Sequence, residues 1–309
     1  MTNARSVRHI PWLIVSGYAA PFDKHSFAHD HAMRIDAHHH FWNYSPAEYS
    51  WIDEAKKPLQ RDFLPVDLQS EIEATDIDGV ISVQARQTIE ETRALLAFAS
   101  THDWIRGVVG WVPLCDPFVA QALDTLTQDK KLRGVRHVVQ DEPDDRFMRR
   151  DDFVKGIASL KSYDLVYDIL VYPQQLPAAI ELADQFPNQT FVLDHIAKPR
   201  IEADKMDGPW RADFSRLAER PNVYCKFSGV ITEVRGSEWT LETIRPYWSI
   251  ALECFGASRL MFGSDWPVCL LRGNYAQWAS TVAQLASELS TSEQQSFWGD
   301  NAAAAYRLA

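Results

Sequence analysis

From residue 33 onward, short runs rich in β-branched and apolar residues alternate with longer stretches whose apolar positions recur every three or four residues. The short runs cover residues 34–38, 79–86, 107–114, 133–139, 165–172, 190–196, 222–228 and 259–265. They read as strands buried on both faces, whereas TIEETRALLAFASTHD (88–103), QQLPAAIELADQF (174–186) and LETIRPYWSIALECFG (241–256) carry the amphipathic helix period. Gly79, Gly107, Gly134 and Gly256 are expected in the turns leading into strands, where helix ends favour glycine. Eight strand–helix units predict a single (β/α)8 barrel of the TIM-like type over residues 33–309. A doubly wound open sheet fits less well, because no GxGxxG follows the first strand. Residues 43–70, rich in Trp, Pro and Asp, are expected to form an elaborated loop over the barrel mouth.

Residues 1–32 break the alternation. They hold Arg5 and Arg8, the apolar stretch PWLIVSGYAA, and then His25, His29 and His31. The stretch mimics a signal peptide, but Pro11 opens it and its apolar core is short. Residues 1–32 are expected to form an N-terminal extension, or to reflect an upstream start with Met33 heading the folded unit. Cys115, Cys225, Cys254 and Cys269 form no CxxC or CxxH pair, so they read as reduced thiols of a cytoplasmic protein. A formal net charge of −11 argues against nucleic-acid or anionic-membrane partners, and no apolar run is long enough to span a membrane. A small-molecule substrate remains.

In a barrel, side chains at the carboxyl ends of the strands converge on one pocket. Here those ends are unusually polar. Strand 1 closes on His38 and His40, and strand 2 on Gln84 and Arg86. Strand 4 closes on Arg136 and His137, strand 5 on Asp168 and Tyr172, strand 6 on Asp194 and His195. Strand 7 closes on Lys226 and Ser228, strand 8 on Ser264 and Asp265. So much ionisable character inside apolar runs exceeds what a purely structural core tolerates, since unpaired buried charge is expensive. The triplet His38–His39–His40 could suggest a tag remnant, but it ends an apolar stretch and runs straight into Phe41 and Trp42. Alternation puts His38 and His40 on one side and His39 on the other. With His195 and Asp265 they offer three imidazoles and a carboxylate, a set that suits one Zn²⁺ or a similar divalent ion. No GxSxG or HExxH is present, and Cys269 has no neighbouring base.

MRIDAHHHFW, FVLDHIAKP and LMFGSDWPV resemble, in order and spacing, the amidohydrolase superfamily and its branch of metal-optional lactonases. LQRDFLPVDL (59–68) and KLRGVRHVVQDEPDDRFM (131–148) are similar to stretches of its sugar-lactone hydrolases, those acting on L-fuconolactone in particular. The resemblance implies a (β/α)8 barrel and hydrolysis of a sugar lactone to the aldonic acid. It casts Asp265 as the base that activates water, and His38, His40 and His195 as the site's histidines. It further implies that the metal is not required. Members with two metals end strand 4 in a carbamylated Lys and strand 5 in a His, which this sequence lacks. Charge development on the carbonyl oxygen would be met by a metal or by His195 with a nearby Arg. Arg86, Arg136, His137 and Tyr172 are the expected substrate-binding residues. The alternatives are a pyrone-dicarboxylate or muconolactone hydrolase, a metal-dependent decarboxylase, and a barrel that binds without catalysis. The polyanionic substrates of the first should demand a cluster of arginines.

Overall fold

The eight apolar runs are eight parallel strands in the computed structural model, which describes Met1 and residues 33–202, 205–236 and 238–308. The expected extension over residues 1–32 lies outside the described residues apart from Met1. The strands are β1 (Ile35–His39), β2 (Gly79–Val83), β3 (Ile105–Gly110), β4 (Leu132–His137), β5 (Val166–Ile169), β6 (Phe191–Leu193), β7 (Val223–Phe227) and β8 (Leu260–Phe262). Each pairs in parallel with the next, in sequence order. The two ends of the sheet meet where the Asp265 amide donates to the His38 carbonyl at 2.8 Å and the His40 amide to the Trp266 carbonyl at 2.7 Å. The chain is thus a (β/α)8 barrel.

Helices α1 (Pro65–Ala74), α2 (Ile89–Thr101), α3 (Val119–Leu126), α4 (Asp151–Leu160), α5 (Leu176–Gln185), α6 (Gly208–Ala218), α7 (Leu241–Phe255) and α8 (Tyr275–Ala286) surround it. Helices α9 (Thr291–Gln295) and α10 (Asn301–Ala305) end the chain. The expected first loop is shorter than residues 43–70, because α1 already begins at Pro65. Proline suits a first helical position, and the Asp67 carboxylate accepts the Leu64 amide at 2.8 Å to cap the turn. The loop is tied back to β1 by backbone bonds of 2.9 Å in both directions between Trp42 and Phe63.

Three of the four glycines lie in strands and not in turns. Gly79 opens β2, Gly107 and Gly134 lie inside β3 and β4, and a Cβ on Gly134 would stand 3.0 Å from the Val166 carbonyl oxygen. Close strand packing selects them rather than a helix end. Gly256 does follow the expectation, with a left-handed φ of 65° after α7.

The apolar residues divide into two layers. Ile35, Ala37, Ile81, Val83, Val109, Val166, Val192 and Met261 fill the barrel interior together with Ala302, Ala305 and Tyr306 of the C-terminal segment. A larger layer packs the barrel's outer wall against the helices. In β1 the register breaks between Asp36 and His39. Below the break Ile35 and Ala37 face inward, while Asp36 accepts a hydrogen bond from the Tyr275 hydroxyl of α8 at 3.0 Å. Above it His38 and His40 enter the site, and His39 turns out onto Phe41 with its Nε2 2.9 Å from Ser82 Oγ. The irregularity is a β-bulge, a common device for re-aiming side chains beside active sites.

Helix α4 gives a test of the packing. A methyl built on Gly156 would run into the Leu114 carbonyl, whereas one on Gly208 meets nothing within 4 Å. Gly156→Ala is expected to destabilise by roughly 1–3 kcal/mol despite alanine's higher helix propensity. Gly208→Ala should leave stability within about 0.5 kcal/mol of wild type. Thermal melts of the two variants measure the difference; equal melting temperatures would show that α4 does not press on Leu114.

Candidate active site

The polar strand ends meet in a buried cluster at the top of the barrel. Asp194 and Asp168 are fully buried, and their negative charge is met by Lys226 and Arg136. Lys226 Nζ stands 2.6 Å from Asp168 Oδ2 and 3.0 Å from Asp194 Oδ1. Arg136 Nη1 donates to Asp194 Oδ2 at 2.9 Å, and its Nη2 donates to both the backbone carbonyl and the side-chain Oε1 of Gln84. The Tyr306 hydroxyl, from the C-terminal segment, reaches both oxygens of Asp168 at 2.8 and 2.9 Å. This network is the floor of the site. Each carboxylate has a cation, the condition under which buried charge is tolerable.

Above the floor stand three histidines, each held by its Nδ1. His38 Nδ1 donates to Asp194 Oδ1 at 3.1 Å and His40 Nδ1 to the Val83 carbonyl at 2.8 Å, while His195 Nδ1 meets Ser228 Oγ at 2.9 Å. In these tautomers the Nε2 atoms of His38 and His40 carry lone pairs that face each other at 3.2 Å, and Arg136 Nη1 lies 3.3 Å from His38 Nε2. Asp265 Oδ1 lies 3.4 Å from His40 Nε2 and 3.8 Å from the Nε2 atoms of both His38 and His195. Burial drives the His38 and His195 imidazoles toward the neutral form, His38 well below its usual range and His195 down to about 4. For Asp265 burial works in the opposite sense, but His195, His40 and Lys198 outweigh it and hold the carboxyl below its usual value. The cluster therefore presents a carboxylate beside the neutral imidazoles of His38 and His195.

The backbone is strained where it aims these groups. His195, Ile196, Ala197 and Lys198 all adopt left-handed φ, from 47° to 59°, and Asp265 has φ 56°. Such conformations persist only when the surroundings enforce them, and they concentrate at functional sites. The Trp210 indole N–H donates to the Ile196 carbonyl at 2.7 Å and fixes the first turn. Gly229 has to be glycine, since its φ is 63° and a Cβ would lie 2.5 Å from His195 Nδ1 and 3.1 Å from Asp265 Oδ2.

A cavity of about 450 Å³ opens over the cluster and reaches His40, Arg136, His195 and Asp265 at its base. Arg86 and Tyr172 line it as expected. His137 does not. Alternation along β4 sends Arg136 inward and His137 out, where it stacks on Phe147 with ring centroids 4.9 Å apart and bonds Glu142 Oε1 at 2.6 Å. Two adjacent strand residues could not both have faced the pocket. The expected four-ligand set also divides. His38, His40 and Asp265 form one group of converging donors, and His195 joins His38 and Asp194 in a second. Sequence reasoning missed Lys198, Glu48, Trp51, Gln87 and Gln140, which line the cavity from loops that carry no strand or helix period. Lys198 and Gln140 left a trace, the first three residues past His195 within FVLDHIAKP and the second within the 131–148 stretch.

Arg86 is placed by Glu91 of α2, whose Oε2 accepts the amides of Ala85 and Arg86 at 3.0 and 2.8 Å, and whose Oε1 accepts the Tyr49 hydroxyl at 3.2 Å. Among the described residues, no helix is long and apolar enough to cross a membrane.

Residues 35–308 match the Amidohydrolase family. The chain is 42% identical over 289 residues to an L-fucono-1,5-lactonase of Burkholderia multivorans, covering 90% of this chain and 97% of that protein. It is 36% identical to an L-fucono-1,5-lactonase of Burkholderia ambifaria, covering 89% of this chain and 96% of the other. A crystal structure of an amidohydrolase from Burkholderia multivorans with bound zinc superposes with a TM-score of 0.87 at 42% identity, covering 90% of this chain and all of that one (100%).

Burial pushes the Glu91 carboxyl up to about 7 from its ordinary 4.5. A carboxyl raised on folding contributes stability below its unfolded pKa and loses it as pH rises through the folded one. Glu91→Gln, which keeps the acceptor for the two amides, should therefore gain melting temperature relative to wild type between pH 4.5 and 7. Melting curves that run parallel across this range would show that Glu91 is ionised throughout.

Proposed function

Since the chain belongs to the Amidohydrolase family, we propose that it hydrolyses a sugar lactone, L-fucono-1,5-lactone foremost, to the aldonic acid. The observation that carries this reading is the buried Asp265 carboxylate at the base of the cavity, ionised beside the neutral imidazoles of His38 and His195. The two lactonase relatives supply the substrate class.

In the proposed reaction, Asp265 accepts a proton from a water molecule lying over the lactone carbonyl. The water oxygen bonds to the carbonyl carbon, and the π electron pair moves onto the carbonyl oxygen. When that pair returns, the ring C–O bond breaks and Asp265 delivers its proton to the departing ring oxygen, serving as base and then as acid. Lactone and water together account for every atom of the hydroxy acid. His195 is held beside Asp265 by Ser228, with its neutral ring free to orient the water. Arg86 and Tyr172, on the cavity wall, are placed to contact sugar hydroxyls.

The donor set fits one divalent cation. Two imidazole nitrogens 3.2 Å apart converge with a buried carboxylate, a nitrogen and oxygen donor set that suits such an ion, with Arg136 Nη1 3.3 Å from His38 Nε2 beside it. His38, His40 and Asp265 would hold such an ion, with Asp194 and Val83 orienting the imidazoles from behind. When bound, it would polarise the carbonyl as a Lewis acid. A second ion is disfavoured, because Lys226 and Arg136 already occupy both oxygens of Asp194. A polyanionic pyrone substrate is disfavoured as well. Arg86 pairs with Glu48 at 2.6 Å and Arg136 with Asp194, so neither is spare for a carboxylate. The four unpaired cysteines suit a cytoplasmic setting.

Asp265→Asn should lower kcat on L-fucono-1,5-lactone by roughly 10²–10⁴-fold, the usual worth of a general base. Acid release in a pH-indicator assay over a panel of aldonolactones measures it. No acid release by wild type from any of them would overturn the reading, and full activity in the variant would remove Asp265 as the base. Chelation is expected to lower wild-type activity only modestly; complete loss restored by Zn²⁺ would make the ion essential.

A further inference from the structure

Four cations line the cavity, and three of them are committed elsewhere. Lys56 pairs with Asp53 at 3.0 Å, and Arg86 with Glu48 at 2.6 Å. Both terminal nitrogens of Arg136 are spent on Asp194 and Gln84, and its Nε is buried without a partner. Lys198 differs. Its ammonium makes no hydrogen bond to any described residue, and its nearest acid, Glu233 Oε1, stands 4.0 Å away, beyond hydrogen-bonding reach. The side chain is only 18% exposed, and its Nζ lies 5.6 Å from the Tyr172 ring centroid. A partly buried ammonium has three donors to satisfy, and this one faces a cavity.

Its position is fixed from both sides. Lys198 ends the left-handed turn that begins at His195, and its amide returns to the His195 carbonyl at 2.8 Å. The loop carrying it is joined to the loop after β7 by Ile201 N–H to Glu233 O at 3.2 Å and Arg235 N–H to Ile201 O at 2.8 Å. Arg235 also holds the Glu233 carboxylate, through Oε2 at 3.0 Å. Lys198 and Tyr172 form the partition between the main cavity and a groove lined by Arg200, Glu233 and Arg235.

We propose that Lys198 is the residue that binds the lactone carbonyl oxygen, stabilises the oxyanion formed there, and then holds the carboxylate of the product. The inference rests on the lactonase reading. It transfers to Lys198 the role that sequence reasoning gave to His195 with a nearby arginine. Asp265, as base, repels the developing oxyanion, which turns the carbonyl oxygen toward a cation, and Lys198 is the cation lining the cavity with no hydrogen-bonded partner among the described residues. The Lys198 charge acts on both Asp265 and His195, lowering the pKa of each. That places it within electrostatic range of the reacting centre.

The test compares Lys198→Met and Lys198→Arg with wild type on L-fucono-1,5-lactone, together with product inhibition by L-fuconate. The methionine variant should lose roughly 10²–10³-fold in kcat, the cost of removing one oxyanion donor. Its KM for the neutral lactone should stay within about threefold, and inhibition by L-fuconate should weaken at least as much as tenfold, about the effect of one lost charge-assisted hydrogen bond. The arginine variant, which keeps the charge, should recover part of both. Wild-type kinetics in the methionine variant, or an arginine variant no better than methionine, would overturn the assignment. A merely structural role would lower the melting temperature and depress both variants alike. If wild type hydrolyses the lactone while Lys198→Met matches it, only this inference fails. A wild type inert toward every lactone removes the reading beneath it as well.

Discussion

Everything at the mouth of this barrel depends on how the Asp194 carboxylate is clamped. One oxygen faces Lys226 and His38, the other Arg136. The Coulomb gain of such a buried cluster is largely offset by the desolvation of its members, so it adds little net stability. Its contribution is geometric. Through Asp194 the ends of β1, β4, β6 and β7 are locked to one another, and the His38 ring is set in the tautomer that turns the Nε2 lone pair toward His40 and Arg136. Because Lys226 also engages Asp168, and Asp168 engages Tyr306, the clamp reaches down to the segment that closes the barrel's other end.

On this rigid floor the reacting groups are carried by strained backbone. Asp265 and His195 both sit at strand ends where the chain turns left-handed, which swings the side chain inward at a point where a regular strand would continue alternating. The glycine at 229 makes room for the pair. The upper cavity wall, by contrast, is built by loops. Glu48 and Trp51 come from the segment after β1, and Gln87 and Gln140 from the segments after β2 and β4. This division lets the floor stay constant while the loops set which substrate fits.

The barrel was legible because its strands are buried on both faces and therefore read as continuous apolar runs, and three helices agree with their periods to within two residues. The ionisable residues breaking those runs revealed His38, His40, His195 and Asp265 for the same reason: apolar surroundings make a charged neighbour conspicuous. What sequence could not resolve is orientation at a strand end. Arg136 and His137 are equally polar, and only the pleat decides that one enters the site and the other stacks on Phe147. Lys198 escaped because it follows a turn whose left-handed residues, Ile196 and Ala197 among them, carry no glycine or asparagine to announce it. The interior glycines of β3 and β4 were mistaken for turn residues because composition does not distinguish a bend from a crowded strand.

The bulge in β1 has a bearing on transplantation. His38 and His40 share a face with Ile35 and Ala37 only because the register breaks beneath them, and Asp36 is released to the helical side by the same break. In a regular strand a carboxylate two positions before His38 would share the imidazoles' side and enter the barrel's apolar interior. Anyone grafting the two histidines onto another eight-stranded scaffold would therefore have to carry over the defect along with the motif. The portable unit is the chain from Asp36 through His40 with its Tyr275 anchor, and a scaffold chosen for ideal, unbroken strands would be the wrong recipient.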